Sequence, residues 1–322
     1  MSIDLDRYPR RYCSICHSVV RKEFAPGPGG RPNASCPRCG SLERHRFFSV
    51  LLSVLEPLLG ELDVLLEVAP SPETSPQLSR LGARRHVRLD LGADNRLVDV
   101  LGSLTDLPLP DDSVDLMVCY HVLEHIPDDL AAMQEIARVL APTGVAVLQV
   151  PYRAGTLTDE DPDADEAERV RRFGRADHVR YYGDDFEDRL VASGLSIERV
   201  SPRSLLGEDM STWLHVNPDE LVWIARSRAG ASVPGRGLAA PTALTRTMSD
   251  LIGELTLVHT RLRETRGEVR RLRTSQPPAP RTTDADTADS AAMPAPVRHA
   301  GRAARRVGGR VVRGAKRRLD RR

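Results

Sequence analysis

The chain has 322 residues, is 40% hydrophobic and 4% aromatic, and carries a formal net charge of +1. No apolar run approaches the ~18 residues that a bilayer span needs, and the start holds no apolar leader-like stretch, so a cytoplasmic protein is expected. Residues 301–322 contain ten Lys or Arg and one Asp, a net +9, which leaves the first 300 residues near −8. An acidic body disfavours a phosphate-rich substrate, while the basic tail suits an anionic membrane surface or a nucleic acid.

Residues 1–40 hold four of the five cysteines. Cys13-Ser-Ile-Cys16 and Cys36-Pro-Arg-Cys39 stand nineteen residues apart, within zinc-ligand spacing. Two such turns complete a closed thiolate tetrahedron, so structural Zn²⁺ on Cys13, Cys16, Cys36 and Cys39 is expected; iron is the alternative metal. Disulfides would require an oxidising compartment. His17 is read as a bystander. The ribbon has three readings: a nucleic-acid reader, a substrate clamp or a staple for the next helix. Its basic residues (Arg11, Arg21, Lys22, Arg31, Arg38) are not interleaved with exposed aromatics, which favours a structural or capping role.

Ser41 is the expected N-cap of a helix over 42–59 whose apolar face includes Phe47, Phe48, Leu51, Leu52 and Leu55. A continuous apolar strand is expected over 62–68, a short helix over 73–81 closed by Gly82, and strands over 86–91, 96–100 and 114–120. A helix over 128–140 with Pro142-Thr-Gly144 as exit turn leads to a strand over 145–150. Residues 152–173 are polar and read as a loop or lid. A helix over 184–193 and strands over 195–200 and 221–225 close the pattern, with the globular part ending near 228. Alternating strands and helices define an α/β fold with a parallel sheet.

Residues 229–240 read as a linker. Leu244, Met248, Leu251, Leu255, Val258, Leu262, Thr265, Val269 and Leu272 alternate at spacings of four and three, which predicts a coiled-coil helix over 241–275 and a homo-oligomer seamed along 244–272. Residues 276–322 lack material for a core and read as a disordered tail, basic from 301.

Three strand ends carry the candidate ligand chemistry. Glu67 ends the first strand of the α/β pattern, Asp90 ends the next, twenty-three residues on, and Cys119-Tyr120-His121 ends the strand over 114–120. An acid at the position of Asp90 suits the ribose hydroxyls of a nucleotide-like ligand.

Asp106-Leu-Pro-Leu-Pro-Asp-Asp-Ser-Val-Asp115, His121-Val-Leu-Glu-His125 and Arg138-Val-Leu-Ala-Pro-Thr-Gly144 resemble the run shared by class I S-adenosylmethionine-dependent methyltransferases of the type 11 group. The likeness extends over about 62–227. Gly40-Ser-Leu-Glu-Arg-His-Arg46 and Phe173-Gly-Arg-Ala-Asp-His-Val-Arg-Tyr-Tyr-Gly183 resemble a subset of that group with a Cys-rich start. The resemblance implies a Rossmann-like, seven-stranded, mostly parallel sheet with helices on both faces, its last strand antiparallel, and S-adenosyl-L-methionine as cofactor. Position by position it implies cofactor contacts from Glu67, Ala69, Pro70, Asp90, Leu91, Ser103, Leu104, Cys119, Tyr120 and His121. The first motif, Glu67-Val-Ala-Pro-Ser-Pro-Glu73, departs from the group in having no glycine, and Ser103 stands where Asp is common.

Methyl transfer needs an acceptor held in line with the methyl carbon and, for a hydroxyl or a protonated amine, a base. His121 and His178 are the candidate catalytic residues, His125 ranks below them, and Tyr181 and Tyr182 are candidate orienting groups. The favoured reading is a methyltransferase acting on a small-molecule or glycan acceptor. An RNA methyltransferase with the ribbon as reader, and a non-catalytic scaffold, are the alternatives.

Overall fold

The computed structural model describes residues 11–20 and 23–228. The expected linker, coiled coil and basic tail lie outside these residues. Among the described residues, no helix is long and apolar enough to cross a membrane.

A small hairpin, β1 (Arg11–Cys13) and β2 (Ser18–Val20), opens the described chain and is followed by α1 (Glu43–Leu59). Seven strands then build the main sheet: β3 (Val64–Val68), β4 (Arg85–Asp90), β5 (Val100–Leu101), β6 (Val114–Tyr120), β7 (Leu140–Gln149), β10 (Leu195–Val200) and β11 (Val222–Ser227). Their order is β10-β11-β7-β6-β3-β4-β5. β5, β4, β3, β6 and β7 run parallel, and β11 is antiparallel to both of its neighbours. The order reverses between β3 and β6, the switch point at which open α/β sheets bind ligands beyond their carboxyl ends.

Both faces of the sheet are covered, which is why its central strands β3 and β6 are apolar at nearly every position. Leu66, Met117, Ala146 and Leu148 face a core shared with α3 (Asp129–Val139) and α5 (Phe186–Ala192). Leu65, Leu116, Val118 and Val147 face Phe47, Phe48 and Leu51 of α1, and Leu206 and Met210 of α6 (Pro202–Leu214). The motif residues of 106–144 act first as braces. Asp115 Oδ2 accepts the Asp63 and Val64 N–H groups at 2.8 and 2.9 Å, fixing the start of β3. Arg138 donates to Glu135 and to the Leu107 and Leu109 carbonyls, holding the proline-rich segment on α3.

Several elements differ from the sequence reading. Pro142-Thr-Gly144 lies inside β7 instead of forming an exit turn, and a Cβ on Gly144 would collide with the Val114 carbonyl at the register shift between β6 and β7. The strand expected over 96–100 shrinks to Val100–Leu101, because Asn95 caps a turn with Leu97 and Val98 and Asp99 pairs with Arg88. The 152–173 segment is no plain loop. It contains β8 (Asp159–Glu160) and α4 (Glu166–Phe173), and β8 pairs with β9 (Arg180–Tyr181). Helix α6 is an addition.

Candidate active site and cysteine cluster

The four N-terminal cysteines converge. Their sulfur atoms all lie within 4.8 Å of one another, with Cys13–Cys39 at 3.7 Å and Cys16–Cys36 at 3.9 Å. Tetrahedral Zn–S bonds of about 2.3 Å place sulfurs about 3.8 Å apart, so the donor set fits a structural zinc ion. No pair is joined as a disulfide. Ser41 is not the cap of α1. Its hydroxyl lies 3.3 Å from Cys13 Sγ and 3.2 Å from Cys39 Sγ, and the cap position falls to Leu42, whose N–H donates to His45 Nδ1 at 3.3 Å.

The ribbon is docked. Arg46 is fully buried, and its guanidinium donates to the Ser41, Ala34 and His215 carbonyls while lying 4.4 Å over the Phe24 ring. Tyr12 stacks on Trp213 at 4.9 Å, and Phe24 stacks on His215 at 4.2 Å. The Tyr12 and Phe24 faces are therefore engaged by α6 and its cap.

At the first motif, Ala69 adopts φ 51°, the left-handed conformation that usually calls for glycine, and its N–H donates to the Leu89 carbonyl at 2.8 Å. The loop keeps its shape through Ala69 and through Asn95, which donates to the Pro70 carbonyl at 2.8 Å. Ala69→Gly is expected to be tolerated: about 1–2 kcal/mol of left-handed strain is relieved against about 0.5–1 kcal/mol of added chain entropy. Urea unfolding checks this, and a loss above about 1 kcal/mol would contradict it.

Glu67 behaves differently from the sequence expectation. It is 1% exposed; Oε1 accepts from Thr74 at 2.9 Å, while Oε2 accepts from Ser75 at 2.6 Å and lies 3.1 Å from His86 Nε2. The carboxylate braces the turn into α2 (Ser75–Ser79) and does not present free oxygens to a ligand. Asp90 is half-buried; its carboxylate Oδ1 accepts the Leu91 N–H at 2.7 Å, and its Oδ2 has no hydrogen bond to a described residue. Beside it, Leu91 is 73% exposed at the strand tip. Ser103 Oγ is 2.7 Å from Thr105 Oγ1, and the Leu104 side chain is buried in the core.

At the end of β6, Cys119 is buried and burial pushes its thiol up, so it remains protonated. The Tyr120 side chain turns toward α1, its ring 5.0 Å from Phe48, and its hydroxyl has no partner. His121 adopts φ 57° and donates its N–H to the Gln149 carbonyl. Its Nδ1 lies 3.0 Å from Oε1 of the fully buried Glu124, and its Nε2 is buried and unpartnered. Gln149 Oε1 is likewise unpartnered, while Gln149 Nε2 donates to Glu220. Burial raises the Glu220 carboxyl above its ordinary range.

His178 is 6% exposed and not on the surface. Burial lowers its imidazole, and its Nε2 lies 3.9 Å from Glu124 Oε1. Asp177 does not orient it, since that carboxylate pairs with Arg175 and His125. Tyr182 is not an orienting group for an acceptor either, because its hydroxyl donates to Asp129 at 2.8 Å.

A cavity of about 440 Å³ lies between the ribbon, α1 and the first-motif loop, lined among others by Gly27, Ser35, Arg44, His45, Ser71 and Glu73. Arg44 makes no hydrogen bond or ion pair with any described residue, and burial lowers its pKa. Burial, with Arg44 adding to it, pushes His45 down to about 3. The imidazole is thus neutral; Nδ1 accepts from Leu42, so Nε2 carries the proton. Arg44, His45, Glu124, Gln149 and Glu220 were not singled out by sequence reasoning; the Gly40–Arg46 run was the visible signal for Arg44 and His45, the His121–His125 motif was the signal for Glu124, and Gln149 and Glu220 had none.

The reversed strand order, the acid-tipped β4 and the polar end of β6 define a Rossmann-like α/β fold with its polar edge at the carboxyl ends of the parallel strands. Residues 62–148 match the family model described as a methyltransferase domain. A probable S-adenosylmethionine-dependent methyltransferase of Mycolicibacterium smegmatis is 46% identical over 52 residues, 16% of this chain and 20% of that protein. The 27-O-demethylrifamycin SV methyltransferase of Amycolatopsis mediterranei is 33% identical over 109 residues, 33% of this chain and 38% of that protein. The chain thus spans between a fifth and two fifths of the length of these relatives. Among solved structures, the YcgJ protein of Bacillus subtilis is 17% identical, covering 55% of this chain and 97% of its own, with a TM-score of 0.38.

Proposed function

We propose that the protein transfers a methyl group from S-adenosyl-L-methionine to a hydroxyl of a small-molecule or glycan acceptor. The observation that carries this reading is His121: its Nδ1 is held by buried Glu124 and its Nε2 is left without a partner at the end of β6. A carboxylate behind an imidazole fixes the tautomer and orientation of the ring.

The residues fit the cofactor. Asp90 has a free carboxylate oxygen for ribose hydroxyls, and exposed Leu91 offers an apolar surface for a purine. The unpaired Arg44 guanidinium, in a cavity bounded by the first-motif loop, suits an amino-acid carboxylate. When bound, S-adenosylmethionine supplies an electrophilic methyl on a sulfonium. The chain's own tasks are to hold an acceptor oxygen in line and to take its proton on His121 Nε2. Gln149 and Tyr120, register partners on adjacent strands, carry unpartnered polar atoms suited to orienting the acceptor. The stacked Tyr12 and Phe24 support the ribbon as a cap and not as a reader of bases.

We further propose that the cysteine cluster holds Zn²⁺. Calorimetric titration with S-adenosylmethionine tests the enzymatic reading. Binding is expected for the unmodified chain, and Asp90→Ala is expected to weaken it by about ten- to a hundredfold, the loss of one or two charge-assisted hydrogen bonds. No heat at millimolar cofactor would leave a scaffold role instead.

A further inference from the structure

We propose that Glu124, His125 and His178 form a second metal centre, a nitrogen- and oxygen-donor site for a divalent transition cation. One carboxylate oxygen and one ring nitrogen from each histidine lie within 4.8 Å of one another. The site is separate from the cysteine cluster, and it is assembled from two segments more than fifty residues apart. The turn Leu123–His125 supplies two ligands, and the segment before β9 supplies the third.

Three observations point to an occupant. First, Glu124 is fully buried, yet its Oε2 has no partner. Second, neither ring nitrogen of the buried His178 makes a hydrogen bond with a described residue; Nδ1 is unpartnered and Nε2 stands 3.9 Å from Glu124. A buried imidazole with no acceptor and no donor is costly unless something fills the gap. Third, His125 Nδ1 donates to the Asp177 carbonyl at 2.9 Å. That bond places the proton on Nδ1 and leaves the Nε2 lone pair for a metal, the usual outer support of a ligating histidine.

The ligands are also pre-arranged. The Val179 N–H donates to the Glu124 carbonyl at 2.9 Å, and Arg180 donates to the Leu123 and Pro127 carbonyls, so the two segments cannot drift apart independently. Two histidines and one carboxylate suit zinc, iron or cobalt, and three protein ligands leave coordination positions open.

The role follows from the neighbour, and this step rests on the methyl-transfer reading. Glu124 also touches His121 at Nδ1, so the centre borders the ring whose other nitrogen, Nε2, is the proposed base. The cation makes an acceptor hydroxyl on its open position more acidic. Its proton passes to His121 Nε2, the oxygen forms a bond to the methyl carbon, the carbon–sulfur bond breaks, and its electron pair stays on sulfur.

Cobalt substitution tests the centre in the full chain. Thiolate ligands give cobalt an intense charge-transfer band, whereas a nitrogen- and oxygen-donor site gives only weak d–d bands. The unmodified chain is expected to take up two equivalents, one with each signature. His178→Phe and His125→Ala should each lose the weak-band equivalent and keep the thiolate band, which reports an intact fold. Saturation at one equivalent, or retention of both by the variants, overturns the proposal. If cobalt fills the second site while S-adenosylmethionine fails to bind, the metal centre stands and the methyltransferase reading falls.

Discussion

Replacing Arg180 by Met is expected to destabilise the domain by about 3–5 kcal/mol and to lower its melting temperature by roughly 10–15 °C. The side chain is 1% exposed and carries five interactions from one guanidinium. It donates to Glu160 at 3.0 Å, to the Leu123 and Pro127 carbonyls at 3.1 and 2.8 Å, and to the Ile126 carbonyl, and it lies 3.7 Å from Asp129. Methionine fills much of the volume but takes the guanidinium donor from the Ile126 and Pro127 carbonyls, leaves the Leu123 carbonyl to the Ile126 N–H and the Tyr182 hydroxyl, and leaves Asp129 leaning on Arg189 and Tyr182. Removing one partner of a buried ion pair is costly because the other is stranded. Arg171→Met is the control. Arg171 pairs with Glu168 on an exposed helix surface, and no measurable change is expected there. Thermal and urea unfolding of the two variants decide the matter; equal melting temperatures would refute the assignment of Arg180 as the bolt of this region.

The same residue shows what sequence can and cannot convey. Strands over 114–120 and 195–200 were readable to the residue, the first as a largely apolar run and the second as a short mixed edge strand bounded by Gly194 and Pro202. The carboxyl edge of the sheet was readable as well, since Asp90 and His121 stand at or just beyond strand termini. Partner choice was not. Glu67 sat where a ligand-facing acid belongs, but Thr74, Ser75 and His86 occupy its oxygens, and that depends on how the turn into α2 folds back. Glu124 and His178 are fifty-four residues apart, and no local pattern announces that they meet. Helix α6 was legible and overlooked: Ser201 caps it and Pro202 opens it, the standard start signal. Its low amphipathicity hides it, because Gly207 breaks the helical path and both halves bury apolar residues.

Zinc removal is expected to lower the melting temperature by roughly 10 °C, about 3–4 kcal/mol at this domain size, and Cys36→Ser should do nearly the same. A ribbon with so few buried apolar residues (Cys13, Val20, Phe24 and Cys36 with Ile15 and Cys16 beside them) would depend on the proposed metal to hold together. The damage does not stay local. Arg46 is buried within electrostatic reach of Cys13, Cys36 and Cys39, and burial lowers its pKa while those thiolates raise it. If the ribbon opens, Arg46 loses the Ala34 carbonyl and the Phe24 ring, His215 loses the Asn33 carbonyl and its stacking partner, and Tyr12 leaves Trp213. The start of α1 and the end of α6 then loosen together. The cavity lined by Gly27, Ser35, Arg44 and Ser71 loses one wall, so cofactor affinity should fall along with stability. Thermal unfolding with and without a chelator, read beside zinc content and S-adenosylmethionine titration, checks both effects. Full cofactor affinity in a zinc-free protein would show that the ribbon is not part of the binding site.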